Sequence, residues 1–342
     1  MGLKRRNIDA DEEEVNAAIR QDLNGPGCLR GYRSMWHCLR LNYGIQAPRS
    51  MVQRILRALD PDGSDERRSH RLRRRRYINP GPNFAWHVDG YDKLKPYGFP
   101  VHACIDGFSR RILWLKVCRT NNDPSMTAGF YLEYVRSVDG CPMVLRTDCG
   151  TENGSMAAMQ CYFRSGARDQ FAGINAHMYG SSHSNQRIEN WWSFLRRNRS
   201  SWWINFFKDQ VEIGNLNTSD ELQMECLWFC FSDILQRDFD QVKFHWNTHY
   251  VRRSRFDTVA GRPDELYHLP YNFGGSEFLQ NVSTEQINDM HEYCEQPEST
   301  NTYQEYFEYA RSQTRYPKPS NWNEALDLYR HLVTVANYGV DV

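Results

Sequence analysis

The chain has 342 residues, of which 40% are hydrophobic and 25% are charged, and its formal net charge is zero. This length is sufficient for two compact domains, and the composition excludes a disordered chain. Since no stretch approaches the roughly 18 apolar residues of a membrane helix and the N-terminal sequence turns acidic where a secretory signal would be apolar, we expect an intracellular protein with no membrane partner.

The zero net charge conceals a basic and an acidic end. Residues 26–80 carry a net charge of +9, and residues 271–342 carry −7. The basic end predicts binding to a polyanion. The ten cysteines contain no CxxC pair, which favours small buried side chains over a disulfide framework or a zinc module.

The first 66 residues are predicted to form a small helical domain. Residues 9–23 read as a helix with an acidic first turn, and the runs GYRSMWHCLRLNYG and MVQRILRAL predict two short helices joined by a glycine-containing turn. This pair fits a DNA-binding helix-turn-helix. Its second helix would present Arg49, Gln53, Arg54 and Arg57. The alternative is a small helical bundle whose arginines are merely solvated.

An arginine-rich linker is predicted at residues 67–80. RRSHRLRRRR holds seven arginines in ten residues, including Arg73, Arg74, Arg75 and Arg76. Beside a DNA-binding unit we expect these side chains to contact phosphates, although such a run can also be a solvated linker or a nuclear-import signal. YINPGPN then marks a domain boundary near residue 80.

Residues 81–250 alternate between strand and helix patterns. FAWHVDG, FPVHACIDG and RILWLKV read as strands, and DPSMTAGFYLEYVRSV as a helix capped by Asp123. A strand (CPMVLRTD), a helix (TENGSMAAMQCYFRSG), a short strand (INAHMY) and a long helix (from SNQRIEN onward) follow. The order β-β-β-α-β-α-β-α is that of the ribonuclease H fold: α/β, with a mixed five-stranded sheet flanked by helices. ELQMECLWFCFSDILQRDFDQVKFHWNTH predicts a further helix, and residues 251–342 a mostly helical, C-terminal extension that becomes acidic from about 271.

Three carboxylates are placed to meet at one rim of this sheet. Asp89 lies at the end of the first strand, Asp148 ends the fourth, and Glu189 lies in the helix that would cross the rim. Such a cluster is unfavourable unless a cation neutralises it, and hard oxygen ligands select Mg²⁺ or Mn²⁺. Two such ions about 3.5–4 Å apart can activate an attacking oxygen and stabilise a leaving one in phosphodiester chemistry.

Other acidic, basic and aromatic residues near these positions have competing interpretations. Asp106 fits a hairpin turn, and Asp92 and Glu152 lack the convergent placement of the three acids. Four basic residues either balance surface charge or grip phosphates beside the scissile bond: Lys93, Lys95, Arg146 and Arg187. His183 and Asn185 are candidates for positioning DNA or water. Six aromatic residues of the long helix are expected to pack in the core instead of stacking on bases or forming a subunit interface: Trp191, Trp192, Trp202, Trp203, Phe206 and Phe207.

Several of these segments resemble the core of retroviral-type integrases, which bacterial insertion-sequence transposases and transposon-derived eukaryotic proteins share. The resemblance covers roughly residues 25–270 and rests on four core segments: PGPNFAWHVDGYDKLKPYGFPVHACIDGFSRRILWL, RTDCGTEN, SSHSNQRIEN and HWNTHYVRRSRFDTVAGRPDEL. In addition, GYRSMWHCLRLNYGIQAPRSMVQRIL resembles the helix-turn-helix that precedes such cores. It implies that Asp89, Asp148 and Glu189 are the D-D-E triad of the family. Glu189 follows Asp148 by 41 positions, a few more than is usual there, and we expect the extra residues in the loop RSGARDQF.

The resemblance implies a DNA integrase or transposase that uses two Mg²⁺ or Mn²⁺ ions. Its partners would be DNA (element ends and target) and further copies of itself in a homo-oligomer, in the nucleus. One alternative is a domesticated DNA-binding or scaffolding protein without catalysis, and another is a ribonuclease H-type nuclease. No Walker A sequence is present, so no nucleotide cofactor is expected.

Overall fold

The computed structural model describes residues 10–338, except 26, 29, 62–78, 181–184, 254–258, 295–300 and 315. The predicted arginine-rich linker, with Arg73 to Arg76, therefore lies largely outside the described residues, and so does His183. Within the described residues no helix is both long and apolar enough to cross a membrane.

Three N-terminal helices form a unit with its own hydrophobic core. Helix α1 spans Glu12–Leu23, α2 spans Tyr32–Asn42 and α3 spans Arg49–Leu59. Apolar residues recur at helical spacing in each helix, and those that face the core are buried, such as Met35 and Leu39 of α2. Gly44, with φ of 68°, makes the turn between α2 and α3. The two predicted helices of the helix-turn-helix are therefore present.

The central sheet has the predicted mixed topology. Its strands are β1 (Ala85–Tyr91), β2 (Val101–Asp106), β3 (Ile112–Val117), β5 (Val144–Thr147) and β6 (His177–Tyr179), in the order β3-β2-β1-β5-β6. The pairs β1–β2 and β2–β3 are antiparallel, whereas β1–β5 and β5–β6 are parallel. Because β1 and β5 run in the same direction, the residues at their carboxyl ends emerge at one rim. This topology confirms the predicted fold class.

Helices cover both faces of the sheet, as the alternation within the strands requires. Ala103 and Ile105 of β2 face one hydrophobic cluster, while Cys104 between them faces the other. Helices α4 (Pro124–Val138) and α5 (Gly154–Phe163) pack on the Cys104 side. Asp123 caps α4, as predicted, by accepting a hydrogen bond of 2.8 Å from the Ser125 amide.

A long helical arm lies on the opposite face. It consists of α6 (Gln186–Leu195), a π-helical turn (Arg196–Ser200) and α7 (Ser201–Glu212), so the helix predicted as continuous is interrupted by one wide turn. Single π turns of this kind are frequent at functional sites. Helix α8, Glu221–Thr248, packs beside this arm and against β3.

The outer edge of β3 is closed by two side-chain amides of α8. Gln236 accepts from the Val117 amide (2.8 Å) and donates to the Leu115 carbonyl (2.9 Å). Asn247 forms the same pair of bonds with Ile112, at 2.8 and 3.0 Å. The sheet edge is thus satisfied without a further strand, which protects it from pairing with another chain.

The C-terminal part is mostly helical, as predicted, and packs on the rest of the chain. Its helices are α9 (Pro263–His268), α10 (Thr284–Asp289), α11 (Thr302–Gln313) and α12 (Trp322–Tyr338). Phe307 of α11 and Leu328 of α12 are fully buried in the cluster that also contains α8. A two-stranded ladder of β4 (Gly140–Cys141) and β7 (Gln280–Asn281) was not predicted. The division of the chain into domains remains a prediction.

Candidate catalytic site

Asp89 lies in β1 and is largely enclosed by its neighbours. Its Oδ2 accepts a hydrogen bond of 2.8 Å from the indole Nε1 of Trp192. Burial, the largest effect, and the negative charges of Glu189 and Asp148 together raise the pKa of Asp89 to about 7, against the lowering effect of the Trp192 hydrogen bond. Both other acids of the predicted triad are therefore close enough to act on this carboxylate.

Asp148 follows the last residue of β5 and reaches the same rim of the sheet as Asp89. The parallel register pairs Trp86 with Leu145 and His87 with Arg146, and Asp89 and Asp148 each lie two residues beyond the second of these pairs. Asp148 opens the turn that leads into α5. Its Oδ1 accepts from Asn153 Nδ2 (2.7 Å) and from the Gly150 amide (3.3 Å).

Glu189 lies in the first turn of α6, and its side chain is exposed. Asn185, immediately before α6, is only 1% exposed and connects the start of this helix to β1 by hydrogen bonds. Asn185 Nδ2 donates to the Val88 carbonyl (2.8 Å), and its Oδ1 lies 2.6 Å from His87 Nδ1. Because Glu189 follows Asn185 by one helical turn, this attachment carries the glutamate to the rim where Asp89 lies.

The three carboxylates form a donor set suited to a hard divalent cation, but they are not preassembled around one. Within the described residues no group of three His, Cys, Asp or Glu side chains is arranged to hold a metal ion. One oxygen of Asp89 is engaged by Trp192, and one of Asp148 by Asn153. Three acids that repel each other in a partly buried site favour cation binding, which here requires a change of side-chain orientation.

The other acidic residues near the predicted triad form hydrogen bonds within the protein. Asp106 is fully buried and accepts hydrogen bonds from three backbone amides and one hydroxyl, those of Asn83, Phe108 and Ser109, at 2.7 to 3.1 Å. It organises the β2–β3 hairpin, in agreement with the turn interpretation. Asp92 accepts from Asn121 (2.6 Å) and pairs with Lys95 (3.6 Å), while Glu152 accepts from Asn153 at 3.4 Å.

The basic residues near the acids differ in exposure. Lys93 is exposed on the turn that follows β1, whereas Lys95, Arg146 and Arg187 are half-buried. Lys95 also donates to Asn122 (2.9 Å). The positive charge of Arg187 lowers the pKa values of buried His87 and Arg110 after the larger effect of burial, so Arg187 lies close to β1 and the hairpin.

The structure corrects the predicted role of Asn185 and adds a contact made by Trp192. Asn185, considered for positioning DNA or water, is buried and bonded within the protein. Trp192 packs in the core, as predicted for the aromatic group, and also contacts Asp89, which the sequence pattern did not indicate. The other aromatic residues of the arm pack in the same core, with Trp202 only partly buried. The sequence did contain a signal for this contact: Trp192 has a hydrogen-bond donor and lies three positions after Glu189, on the same face of the helix.

The proposed DNA-reading helix α3 presents the four predicted contact residues to solvent: Arg49, Gln53, Arg54 and Arg57. The Arg54 guanidinium donates two hydrogen bonds to the Glu12 carboxylate (2.7 and 2.8 Å). The Arg49 guanidinium stacks 4.2 Å from the ring centre of Trp36. Within the described residues, no side-chain hydrogen bond engages Gln53 or Arg57.

Comparison with known proteins identifies the family. No match was found among curated proteins. Residues 76–269 match the integrase core domain. The match covers more than half of the 342 residues and contains the sheet, Asp89, Asp148 and the whole of the α6–α7 arm. The chain therefore belongs to the integrase core domain family.

Proposed function

We propose that the protein is a DNA integrase or transposase that cleaves and joins phosphodiester bonds, with Asp89, Asp148 and Glu189 binding two Mg²⁺ or Mn²⁺ ions. One observation carries the proposal: the parallel strands β1 and β5 bring Asp89 and Asp148 to the same rim of the sheet, where the charges of Asp148 and Glu189 raise the pKa of Asp89. Three acids from two parallel strands and one helix thus lie within electrostatic reach of each other. Membership in the integrase core family supports the same assignment.

The protein's own residues supply ligands, orientation and phosphate contacts. A bound divalent cation would activate the attacking oxygen and stabilise charge on the phosphoryl group. Asp89, Asp148 and Glu189 would hold it, and no protein nucleophile is required. Lys93, exposed on the turn after β1, and Arg187 beside β1 would contact phosphates on either side of the scissile bond.

DNA is the proposed partner, as both element ends and target. The exposed face of α3, with Arg49, Gln53 and Arg57, would read base edges in the major groove, and the arginine-rich linker would contact phosphates. Joining two DNA ends requires two active sites, so we propose a homo-oligomer. We also propose a nuclear location, because the segments named above resemble those of transposon-derived eukaryotic proteins.

A second candidate function is a DNA-binding scaffold without catalysis. The observation that favours it is that the acids are not preassembled as a metal site within the described residues. In this alternative the three acids would stay apart, and the bonds from Trp192 to Asp89 and from Asn153 to Asp148 would only stabilise the fold. The two functions differ in whether the protein binds divalent cations and turns over DNA.

The test is a Mg²⁺-dependent strand-transfer assay that uses the DNA flanking the encoding gene. Asp89→Asn, Asp148→Asn and Glu189→Gln should each lower cleavage and joining by more than about 100-fold, because loss of a mere partner of a metal ligand costs about 10- to 100-fold. Each variant removes one ligand charge with little change in volume. Asp92→Asn, an exposed acid three positions beyond Asp89, is the matched control and should retain activity.

The outcomes separate the alternatives. Full activity in any triad variant would refute the assignment of that residue. A wild-type protein that binds the flanking DNA but neither cleaves nor joins it with Mg²⁺ would be the scaffold. Cleavage of DNA or an RNA–DNA hybrid without joining would indicate a nuclease of the ribonuclease H type.

A further inference from the structure

Helix α6 is attached to β1 by one side chain on each side of Glu189. We propose that these two residues, Asn185 and Trp192, are positioning residues of the metal site: Asn185 sets the register of α6 against β1, and Trp192 holds the Asp89 carboxylate. This inference rests on the proposed function, since it assigns the two residues to the metal ligands named there.

Trp192 is a rigid donor directed at Asp89. Its indole Nε1 lies 2.8 Å from Asp89 Oδ2, and the residue is only 5% exposed. The ring centre lies 5.0 Å from that of Tyr91 and 5.2 Å from that of Trp191. An indole N–H can donate but not accept, and these packed neighbours prevent the ring from turning away. The hydrogen bond therefore restricts the orientation of the Asp89 carboxylate.

Asn185 fixes the helix on the strand at a second point. Its amide donates to the Val88 carbonyl, next to Asp89, and its oxygen lies 2.6 Å from the His87 ring nitrogen. Among the described residues, the two hydrogen-bond partners of this buried side chain are consecutive residues of β1. Rotation of α6 about its axis, or a slide along β1, would break both. Glu189, one turn after Asn185 and three residues before Trp192, is thereby held opposite Asp89.

The chain provides a matched control for the indole hydrogen bond. Trp203, further along the same helical arm, donates from its Nε1 to Asp238 Oδ2 at 2.8 Å and is 1% exposed. It packs in the same hydrophobic cluster as Trp192. A change from Trp to Phe removes the same kind of donor at both positions. Only the change at Trp192 touches a proposed metal ligand.

The experiment compares Trp192→Phe with Trp203→Phe in the full-length protein, using Mn²⁺ as the probe. Mn²⁺ binding is followed by electron paramagnetic resonance, and stability by denaturant unfolding. We expect Trp192→Phe to weaken Mn²⁺ binding by about tenfold or more, as losses of partners of metal ligands do, and Trp203→Phe to leave it unchanged. In spectra of ¹⁵N-indole-labelled protein, the resonance missing from Trp192→Phe should be the one that shifts most on addition of Mg²⁺.

Asn185→Asp tests the second attachment, because it keeps an oxygen toward His87 and removes the donor to Val88. It should also weaken Mn²⁺ binding. Should this variant fail to fold, the Trp192 comparison decides alone. Equal Mn²⁺ affinity of Trp192→Phe, Trp203→Phe and the wild type, with binding lost in Asp89→Asn, would overturn this inference and leave the proposed metal site intact. Absence of Mn²⁺ binding by the wild type, with and without DNA, would overturn both.

Discussion

At the scale of single residues, Asp89 and Asp106 show how placement decides the role of an aspartate. Each lies at or near the end of a strand and precedes a glycine. Asp106 is enclosed by donors, so its carboxylate is used entirely within the hairpin. Asp89 faces two other acids across the rim of the sheet, where its charge is unfavourable without a cation. The first residue therefore stabilises the fold, and the second is available for chemistry.

Asp106→Asn should destabilise the protein without removing the proposed metal site. The amide presents an NH₂ group to neighbours that are themselves donors, which leaves buried donors unsatisfied at a cost of about 1–3 kcal/mol in the free energy of unfolding. Denaturant unfolding measures this loss. Asp92→Asn, at an exposed position, should change stability by less than about 0.5 kcal/mol. Unchanged stability of Asp106→Asn, or loss of Mn²⁺ binding by its folded form, would contradict this account.

At the scale of elements, α3 has the features of a surface helix available for a partner. Its apolar residues Val52, Ile55 and Leu56 are buried in the N-terminal core, so its polar side faces outward. Gln53 and Arg57 lie one turn apart on that side. Arg54 is already paired with Glu12, although both side chains are exposed and such a pair contributes little. The free side of α3 is thus a candidate surface for base recognition.

Gln53→Ala should relax DNA sequence preference at one or two base pairs, at a cost of about 1–3 kcal/mol per lost contact, because Gln can form two hydrogen bonds with adenine. Selection from random oligonucleotide libraries measures the preference. Gln21→Ala, an exposed glutamine on α1, is the matched control and should leave it unaltered. If Gln53→Ala changes the oligomeric state but not the preference, the N-terminal unit serves assembly instead of reading DNA.

At the scale of the whole molecule, the N-terminal unit is joined to the integrase core beside the helix that carries Glu189. Arg199, in the π-helical turn after α6, pairs with Asp238 of α8 (3.0 Å) and approaches Asp22 of α1 (3.9 Å). Asp22 also pairs with Arg30 at 3.4 Å, and all four side chains are largely buried. Removal of one partner from such a network leaves an uncompensated buried charge. The position of the N-terminal unit is therefore tied to the α6–α7 arm.

Buried histidines predict that the whole fold weakens in acid. Burial lowers the pKa of both His102 and His245 to about 3, so they are neutral in the folded state. Below about pH 6.5 the unfolded chain takes up protons that the folded chain does not. Their contribution to stability is complete above that pH and is lost as the pH falls toward 3, at roughly 1.4 kcal/mol per pH unit for each histidine.

Denaturant unfolding between about pH 7.5 and 4 tests this prediction. In His102→Phe, the slope of the free energy of unfolding against pH should be smaller by up to roughly 1.4 kcal/mol per pH unit, the contribution of one histidine. The Trp114 indole donates to His102 at 3.1 Å and loses this acceptor in the variant. Comparing the free energies of unfolding of variant and wild type at pH 7.5 measures that cost separately and is the internal control. An unchanged slope in His102→Phe would show that this histidine does not resist protonation in the folded protein.

The amino-acid sequence by itself determined most of the secondary structure, the fold class and the candidate acids. Alternation in β2 and helical spacing in α2 and α3 report which side of an element is apolar, and this information is local. The identity of Asp89, Asp148 and Glu189 came from motifs of the family. The π-helical turn and the short ladder of β4 with β7 were missed, because each depends on packing against distant elements.

Only the tertiary structure decided what surrounds the acids. Asn185 meets His87 across 98 positions of the chain, and Trp192 meets Asp89 across 103. The amides that close the edge of β3 come from α8, more than 100 positions away. A hydrogen bond needs both partners within about 3 Å and correctly oriented, and periodicity along the chain specifies neither. The sequence therefore predicted which residues line the site, whereas folding decided which of them hold the acids in place.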